Sequence, residues 1–182
     1  MSNEQDIAQR FQRGDSQAGK LLYETYAGWL LGVCLRYVCD RSTAQDLLHD
    51  GFIQILTHIR QFEWQGEGSL KAWLFRVQQR VILMHLRKKE LLDETLSIED
   101  VQVEEIPAPE TTRDIPQRVL MQLIAELPPG YRTIFNMYVI DGFSHKEIAQ
   151  LLGIKEKTSA SQLVHAKRLL ATRINAWRKE NL

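Results

Sequence analysis

Apolar residues recur along this chain at steps of three and four, the spacing of one face of an α-helix, and the pattern predicts an all-α protein. Residues 4–13 read as a short helix that stops near Gly14, Asp15 and Ser16. Asp15 or Ser16 is placed to cap a second helix running to about Val38, with Leu21, Leu22, Tyr26, Trp29, Leu30, Val33, Leu35 and Val38 forming a wide apolar stripe. The run Asp40-Arg41-Ser42 interrupts the period, and Ser42 or Thr43 then caps a third helix to about His58. Its inward set is Ala44, Leu47, Leu48, Phe52, Ile55, Leu56 and Ile59, and its other face shows Gln45, Asp46, His49, Asp50 and Gln54. Two acids one turn apart, Asp46 and Asp50, repel within a helix, so this face is either a solvated surface or the seat of a basic partner.

A fourth helix starts at Ser69, after a glycine-punctuated loop, and runs without a breaker to about Lys89. At about 100° per residue, Leu70, Trp73, Leu74, Val77, Val81 and Met84 form one stripe, while Arg76, Gln79, Arg80 and Arg87 form another. A row of guanidiniums on a helix that buries its other stripe suits phosphates or base edges, although an isolated basic stripe is equally a solvated face. The loop ahead of it, Gln61 to Gly68, holds two aromatics and two glycines. Large rings in a loop are either core plugs or, beside a basic surface, a platform on which unpaired bases stack. Phe62 and Trp64 stand in that position.

From Leu91 to Asp114 the helical period is lost in an acidic segment with Pro107 and Pro109 and no aromatics, which reads as a flexible linker. The chain therefore divides into two small helical domains, residues 1–90 and 115–182, joined by residues 91–114. In the second, a helix beginning at Pro116 places Val119, Leu120, Leu123, Ile124 and Leu127 inward. Pro128-Pro129-Gly130 ends it and pre-sets a helix from Tyr131 to Ile140, which Asp141-Gly142 stops. Ser144-His145-Lys146-Glu147 has the form of a capping box opening a helix with Ile148, Ala149, Leu151 and Leu152 inward, and Gly153 turns the chain. A last helix runs to about Trp177, with Ala160, Leu163, Val164 and Leu170 inward. Lys157, Ser161, His165 and Arg168 share its outward stripe beside Gln162, and Lys155 and Thr158 flank its start. A short capped helix, a glycine turn and a helix with a polar-basic face form a helix-turn-helix, whose second helix fits a DNA major groove.

Charge changes this picture once it is divided by segment. The formal net charge is zero, which by itself argues against a nucleic-acid binder. Residues 1–90 carry 12 Lys/Arg against 10 Asp/Glu, residues 91–114 one against eight, and residues 115–182 ten against five. Two mildly basic blocks thus flank an acidic bridge. The two cysteines, Cys34 and Cys39, lie in an apolar helical pattern without zinc spacing and read as buried thiols of a reducing compartment. The first residues show neither the basic nor the apolar region of a signal peptide, and no apolar run reaches membrane-spanning length, so the expectation is a soluble cytoplasmic protein without membrane insertion.

Both blocks, in this order, resemble the extracytoplasmic-function (ECF) sigma factors of bacterial RNA polymerase. Gly14-Asp15, Leu22-Tyr23 and Tyr26 look like the family's opening helices, and Gln45-Asp46-Leu47-Leu48-His49-Asp50-Gly51-Phe52 like its segment that docks on the polymerase clamp. Phe62 to Gly68 followed by Ser69-Leu70-Lys71-Ala72-Trp73-Leu74-Phe75-Arg76 is similar to the promoter-melting loop and the start of the −10 helix. Leu127-Pro128-Pro129-Gly130-Tyr131-Arg132 and Gly142-Phe143-Ser144-His145-Lys146-Glu147-Ile148-Ala149 match the −35 domain. The resemblance implies a non-catalytic specificity subunit with no cofactor and no metal, bound to core RNA polymerase (beta-prime clamp and beta flap) and to promoter DNA, and controlled by a separate anti-sigma factor. By the same resemblance, Asp46, Leu47, Asp50 and Phe52 bind the polymerase. Phe62, Trp64, Gly66, Ser69, Lys71, Arg76, Gln79, Arg80, Arg87 and Lys88 serve the −10 element and melting. Lys155, Lys157, Thr158, Ser161, Gln162, His165 and Arg168 serve the −35 element, and the acidic linker threads through the polymerase.

The chain departs from its relatives at Arg80 and Met84, where the family often carries an Asn and an Asp, and in a last helix less rich in Arg and Lys. An ordinary helix-turn-helix repressor or activator, binding duplex operator DNA by itself, is the competing reading. His49, Asp50, His58 and His85 sit in no nucleophile, phosphate-loop or metal spacing that would mark an enzyme.

Overall fold

The computed structural model describes residues 3–88 and 114–181, and every regular element among them is helical. The chain divides into two units, residues 1–85 and 86–182. Residues 91–113 of the expected linker lie outside the described residues.

The first unit contains α1 (Asn3–Gln12), α2 (Ala18–Val38), α3 (Arg41–His58), a 3-10 turn (Ile59–Gln61) and all but the last three residues of α4 (Ser69–Lys88). Its core is where the apolar stripes of α1 to α4 meet: Ile7, Leu22, Leu30, Ile55, Leu70 and Leu74 are all fully enclosed. The helix starts differ from expectation. Neither Asp15 nor Ser16 caps α2; the Asp15 carboxylate instead accepts from Gln17 N–H at 2.8 Å and shapes the turn ahead of it. Asp40, not Ser42 or Thr43, caps α3, accepting from Thr43 N–H at 2.7 Å. A carboxylate there satisfies an orphan donor and sits at the positive end of the helix, so the break residue is itself the start signal.

Two stripes are rotated from those the sequence pattern suggests. On α3, Leu56 is exposed and Gly51 is buried. On α4 the buried row is Leu70, Leu74, Gln78 and Ile82, with Gln79, Leu83 and Leu86 beside it. Trp73, Val77 and Val81 are half-buried, and Met84 is 61% exposed. The reason is chemical. Gln79 is expected on the outward stripe, but hydrogen bonds from Gln78 to Leu47 O (2.8 Å) and from Gln79 to Tyr37 Oη (3.4 Å) allow both into the interior.

The cysteines also separate. Cys34 is buried, whereas Cys39 is exposed and closes α2 in the left-handed region at φ 56°. Burial pushes the Cys34 thiol up to about 12. Burial, then the charge and hydrogen bond of Glu4, does the same to the Tyr26 phenol, also to about 12.

The second unit holds α5 (Gln117–Ala125), α6 (Pro129–Phe135) continued by a π-helical turn (Asn136–Ile140), α7 (His145–Leu152) and α8 (Glu156–Asn181). Pro129 takes the first turn of α6. The Ser144/Glu147 capping box is present with both hydrogen bonds, and Gly153 closes α7 at φ 70°, a conformation that costs any other residue strain. Buried Arg132 donates from Nη1 to Ala125 O (2.6 Å) and Leu127 O (3.0 Å), satisfying carbonyls that the end of α5 leaves open. Asp114, which the composition assigned to the linker, grips Arg178 of α8 through two 2.8 Å bonds that hold its carboxyl below the usual range.

On α8, Val164 faces solvent and Ala160 is half-buried, while Ser159 and Gln162 are enclosed. Leu151 of α7 is likewise exposed. Ser159 and Ala166 of α8 are fully enclosed, the Ser159 hydroxyl stands 3.0 Å from His145 Nδ1 of α7, and α8 packs on both α6 and α7. Among the described residues, no helix is long and apolar enough to cross a membrane, and no three His, Cys, Asp or Glu gather as metal ligands.

The raised Cys34 and Tyr26 values make a pH-dependent stability. Between about pH 9 and 12 the folded chain keeps protons that the unfolded chain releases, so stability is complete below this window and falls as pH rises through it. Urea midpoints should therefore decline from pH 8 to 10.5, and less steeply in Tyr26→Phe than in the parent chain. Equal slopes in the two proteins would contradict the assignment.

Candidate nucleic-acid interface

The outward row of α4 is built by its inward one. With Leu70, Leu74, Gln78 and Ile82 buried, the exposed positions are Ala72, Arg76, Arg80, Met84 and Arg87, each three or four residues from the last. Arg76 and Arg80 lie one helical turn apart in solvent, a spacing that presents two guanidinium forks to a polyanion. Lys71 is exposed too, but its ammonium stands 5.0 Å from the centroid of Trp29, a cation–π contact. Gln79 is buried against Tyr37 and offers no surface for DNA, which corrects its place among the expected contacts. Met84, expected in the core, joins the outward row; its spacing from Arg80 was the available signal. Lys88 ends α4, and its side chain lies outside the described residues.

The loop ahead of α4 is pinned at three points. Phe62 is buried and packs 5.6 Å from the Trp73 ring, so it is a core plug rather than a free platform. The Ser69 hydroxyl donates to Gly66 O at 2.5 Å and accepts from Gln65 N–H at 3.3 Å, tying the loop back instead of capping the helix. Gly68 N–H donates to the Glu4 carboxylate at 2.8 Å. Trp64 is half-buried against the core, between exposed Glu63 and Gln65 in the chain. Gly66, at φ 108°, makes the turn that no side chain would permit.

On α3, Asp46 and Asp50 are exposed, whereas Leu47 and Phe52 are in the core and cannot also face a partner. Ile53, 61% exposed and three residues beyond Asp50, shares the acidic face. The sequence pattern assigns Ile53 to neither face of the helix.

The outward face of α8 carries Lys157, half-buried Ser161, Val164 and half-buried Arg168, with Lys155 just ahead of the helix. Thr158 is half-buried, and its carbonyl accepts the Ser161 hydroxyl at 3.1 Å. Gln162, an expected base reader, is 1% exposed and belongs to the interior. His165 is half-buried with its ring stacked 5.8 Å from that of Tyr131. Val164 stands outward instead, a methyl-bearing contact suited to the 5-methyl group of thymine.

Comparison with known proteins matches both units. The family model described as Sigma-70 region 2 matches residues 22–91, and that described as Sigma-70, region 4 matches residues 117–170. The RNA polymerase sigma-H factor of Pseudomonas aeruginosa is 28% identical over 175 residues, covering 90% of each chain. The ECF RNA polymerase sigma-E factor of Haemophilus influenzae is 24% identical, covering 94% of this chain and 95% of its own. In fold, the chain resembles the sigma factor RpoE of Bartonella quintana, solved in complex with the anti-sigma factor NepR. That likeness has a TM-score of 0.50 at 19% identity, covering 85% of this chain and 94% of the other.

The division of α3 into core and surface is measurable by unfolding. Leu47→Ala and Phe52→Ala should each cost about 2–5 kcal/mol, as buried large-to-small changes do. Asp46→Ala and Asp50→Ala should stay within about 0.5 kcal/mol. Urea denaturation of the four variants tests this, and comparable losses at Asp50 and Leu47 would refute it.

Proposed function

The chain belongs to the sigma-70 family as an ECF RNA polymerase sigma factor, and from that premise we propose how its surfaces divide the work of directing promoter-specific transcription initiation. The observation that carries the proposal is the outward pair Arg76 and Arg80 on α4, in one chain with a capped helix-turn-helix. Residues 1–90 hold the polymerase and open the promoter, and residues 115–182 fix the distance to a second DNA element. Residues 91–114, acidic by sequence, pass through a basic channel of the enzyme.

The exposed face of α3 docks on the polymerase. Asp46 and Asp50 supply charge for a basic partner, and Ile53 supplies apolar area between them and the rim. The loop from Phe62 to Gly68 and the α4 row take the −10 element as its strands part. Unstacking a base costs a few kcal/mol, which half-buried Trp64 and nearby loop polar groups offset by stacking and hydrogen bonding. Arg76, Arg80 and Arg87 then neutralise the backbone or grip base edges. In the −35 major groove, Lys155, Lys157 and Arg168 contact phosphates while Ser161 and Val164 reach base edges. The protein is a non-catalytic subunit working in the cytoplasm with core polymerase and promoter DNA. An anti-sigma factor, such as the one bound by the Bartonella quintana protein, controls it by covering these faces. A lone operator-binding regulator is not favoured, because the first unit matches a sigma region of its own.

Reconstitution with core polymerase and transcription from a promoter library tests the reading; failure to bind polymerase or select start sites would overturn it. Within that assay, Arg76→Ala or Arg80→Ala should lower open-complex formation by about 5- to 150-fold, the worth of one such contact, and leave polymerase binding intact. Asp50→Ala should instead weaken polymerase binding. Equal loss of both activities in all three variants would indicate misfolding.

A further inference from the structure

Gln78 is fully buried on the side of α4 that faces α3, and nothing said so far uses it. Its Nε2 donates to the backbone carbonyl of Leu47 at 2.8 Å, inside the hydrogen-bond ladder of α3. The rest of the carboxamide lies directly on Gly51. A side-chain carbon at residue 51 would come within 2.5 Å of Gln78 Cδ and 2.8 Å of Nε2, and it would overlap Oε1. Oε1 has no hydrogen-bond partner among the described residues; what it faces is the Cα–H of Gly51, a weak donor. Each half of this arrangement is unfavourable by itself: a glycine in mid-helix, and a buried amide oxygen without a conventional partner. Together they make a knob and a hole that fit in one rotational setting of α4.

That setting decides where the arginines point. Arg76 and Arg80 each lie two residues from Gln78, about 200° around the helix, so they stand on the face opposite the knob. On α3, Leu47 and Gly51 are the neighbours in sequence of Asp46 and Asp50. We propose that Gln78 is a positioning residue which, seated on Gly51, fixes the rotation of α4 on α3 and so aims Arg76 and Arg80 relative to Asp46 and Asp50. A leucine of similar size would fill the space but not hold the register, because it makes no bond to Leu47 O. The proposal rests on the assignment above of the α4 row to promoter DNA and the α3 acids to polymerase.

The test uses Gln78→Leu and Gly51→Ala. Spin labels at Thr57→Cys and Ala72→Cys, in a Cys39→Ser background, report the α3–α4 geometry without reference to function. The parent should give a narrow distance distribution, and Gln78→Leu and Gly51→Ala should each shift or widen it. In the reconstituted holoenzyme, the two variants should bind core polymerase like the parent yet form open complexes about 5- to 150-fold less well, as one misaimed arginine contact would cause. Unchanged distances in Gln78→Leu and Gly51→Ala overturn the proposal, as does full open-complex formation by Gln78→Leu. If Gly51→Ala does not fold, Gln78→Leu alone decides. If the parent itself opens no promoter, the functional assignment falls and the distance measurement still decides the positioning role.

Discussion

A helix shows to its surroundings only what it does not bury, and in this protein the rotation of α4 is the setting on which the exposed arginine row of the first unit depends. Leu70 and Leu74 anchor its first turns in the shared core, and Gln78 carries the contact on through a hydrogen bond to α3. Once that row is inside, Arg76 and Arg80 have nowhere to be but in solvent, and Met84 follows them. A turn of about 100°, one residue's worth, would bury one arginine and expose Gln79 or Val77 in its place. The desolvation cost of an unpaired guanidinium makes that alternative far less stable than the observed one.

The second unit obeys the same rule with different means. There α8 buries Ser159 and Ala166 against its neighbours, and the Arg132 side chain satisfies the last carbonyls of α5. The capping box at Ser144 and the left-handed Gly153 bound α7 so that the next helix begins where its polar residues face outward. Buried polar groups recur at these junctions. Each costs more than a hydrocarbon would unless paired, and each specifies a single arrangement where an all-apolar contact would accept several.

Local chemistry, which needs no knowledge of neighbours, was legible in the residues alone. The helices, the capping box, the glycine turn, the proline start at Pro129 and the order of the two family-like blocks all follow from interactions within a few positions along the chain. The assignment of Asp46, Asp50, Arg76, Arg80 and Lys157 to exposed faces also held, because a charge is rarely left inside without a partner.

Tertiary structure decided the rest: which glutamines are core, which aliphatics are surface, and which end of a break residue matters. Gln78 and Gln79 are interior because a carbonyl and a hydroxyl sit where their side chains point, while Gln162 is enclosed with its Oε1 unpaired among the described residues, and no periodicity encodes that. Ile53, Met84 and Val164 are exposed because other faces of their helices are the ones the cores enclose. Sequence by itself determined which segments are helices and which charged residues stay in solvent, since those depend on short-range hydrogen bonding and on the cost of burying charge. The rotation of each helix, and with it the exact membership of every surface, came only from three-dimensional packing, because two faces of similar hydrophobicity are told apart only by what they pack against.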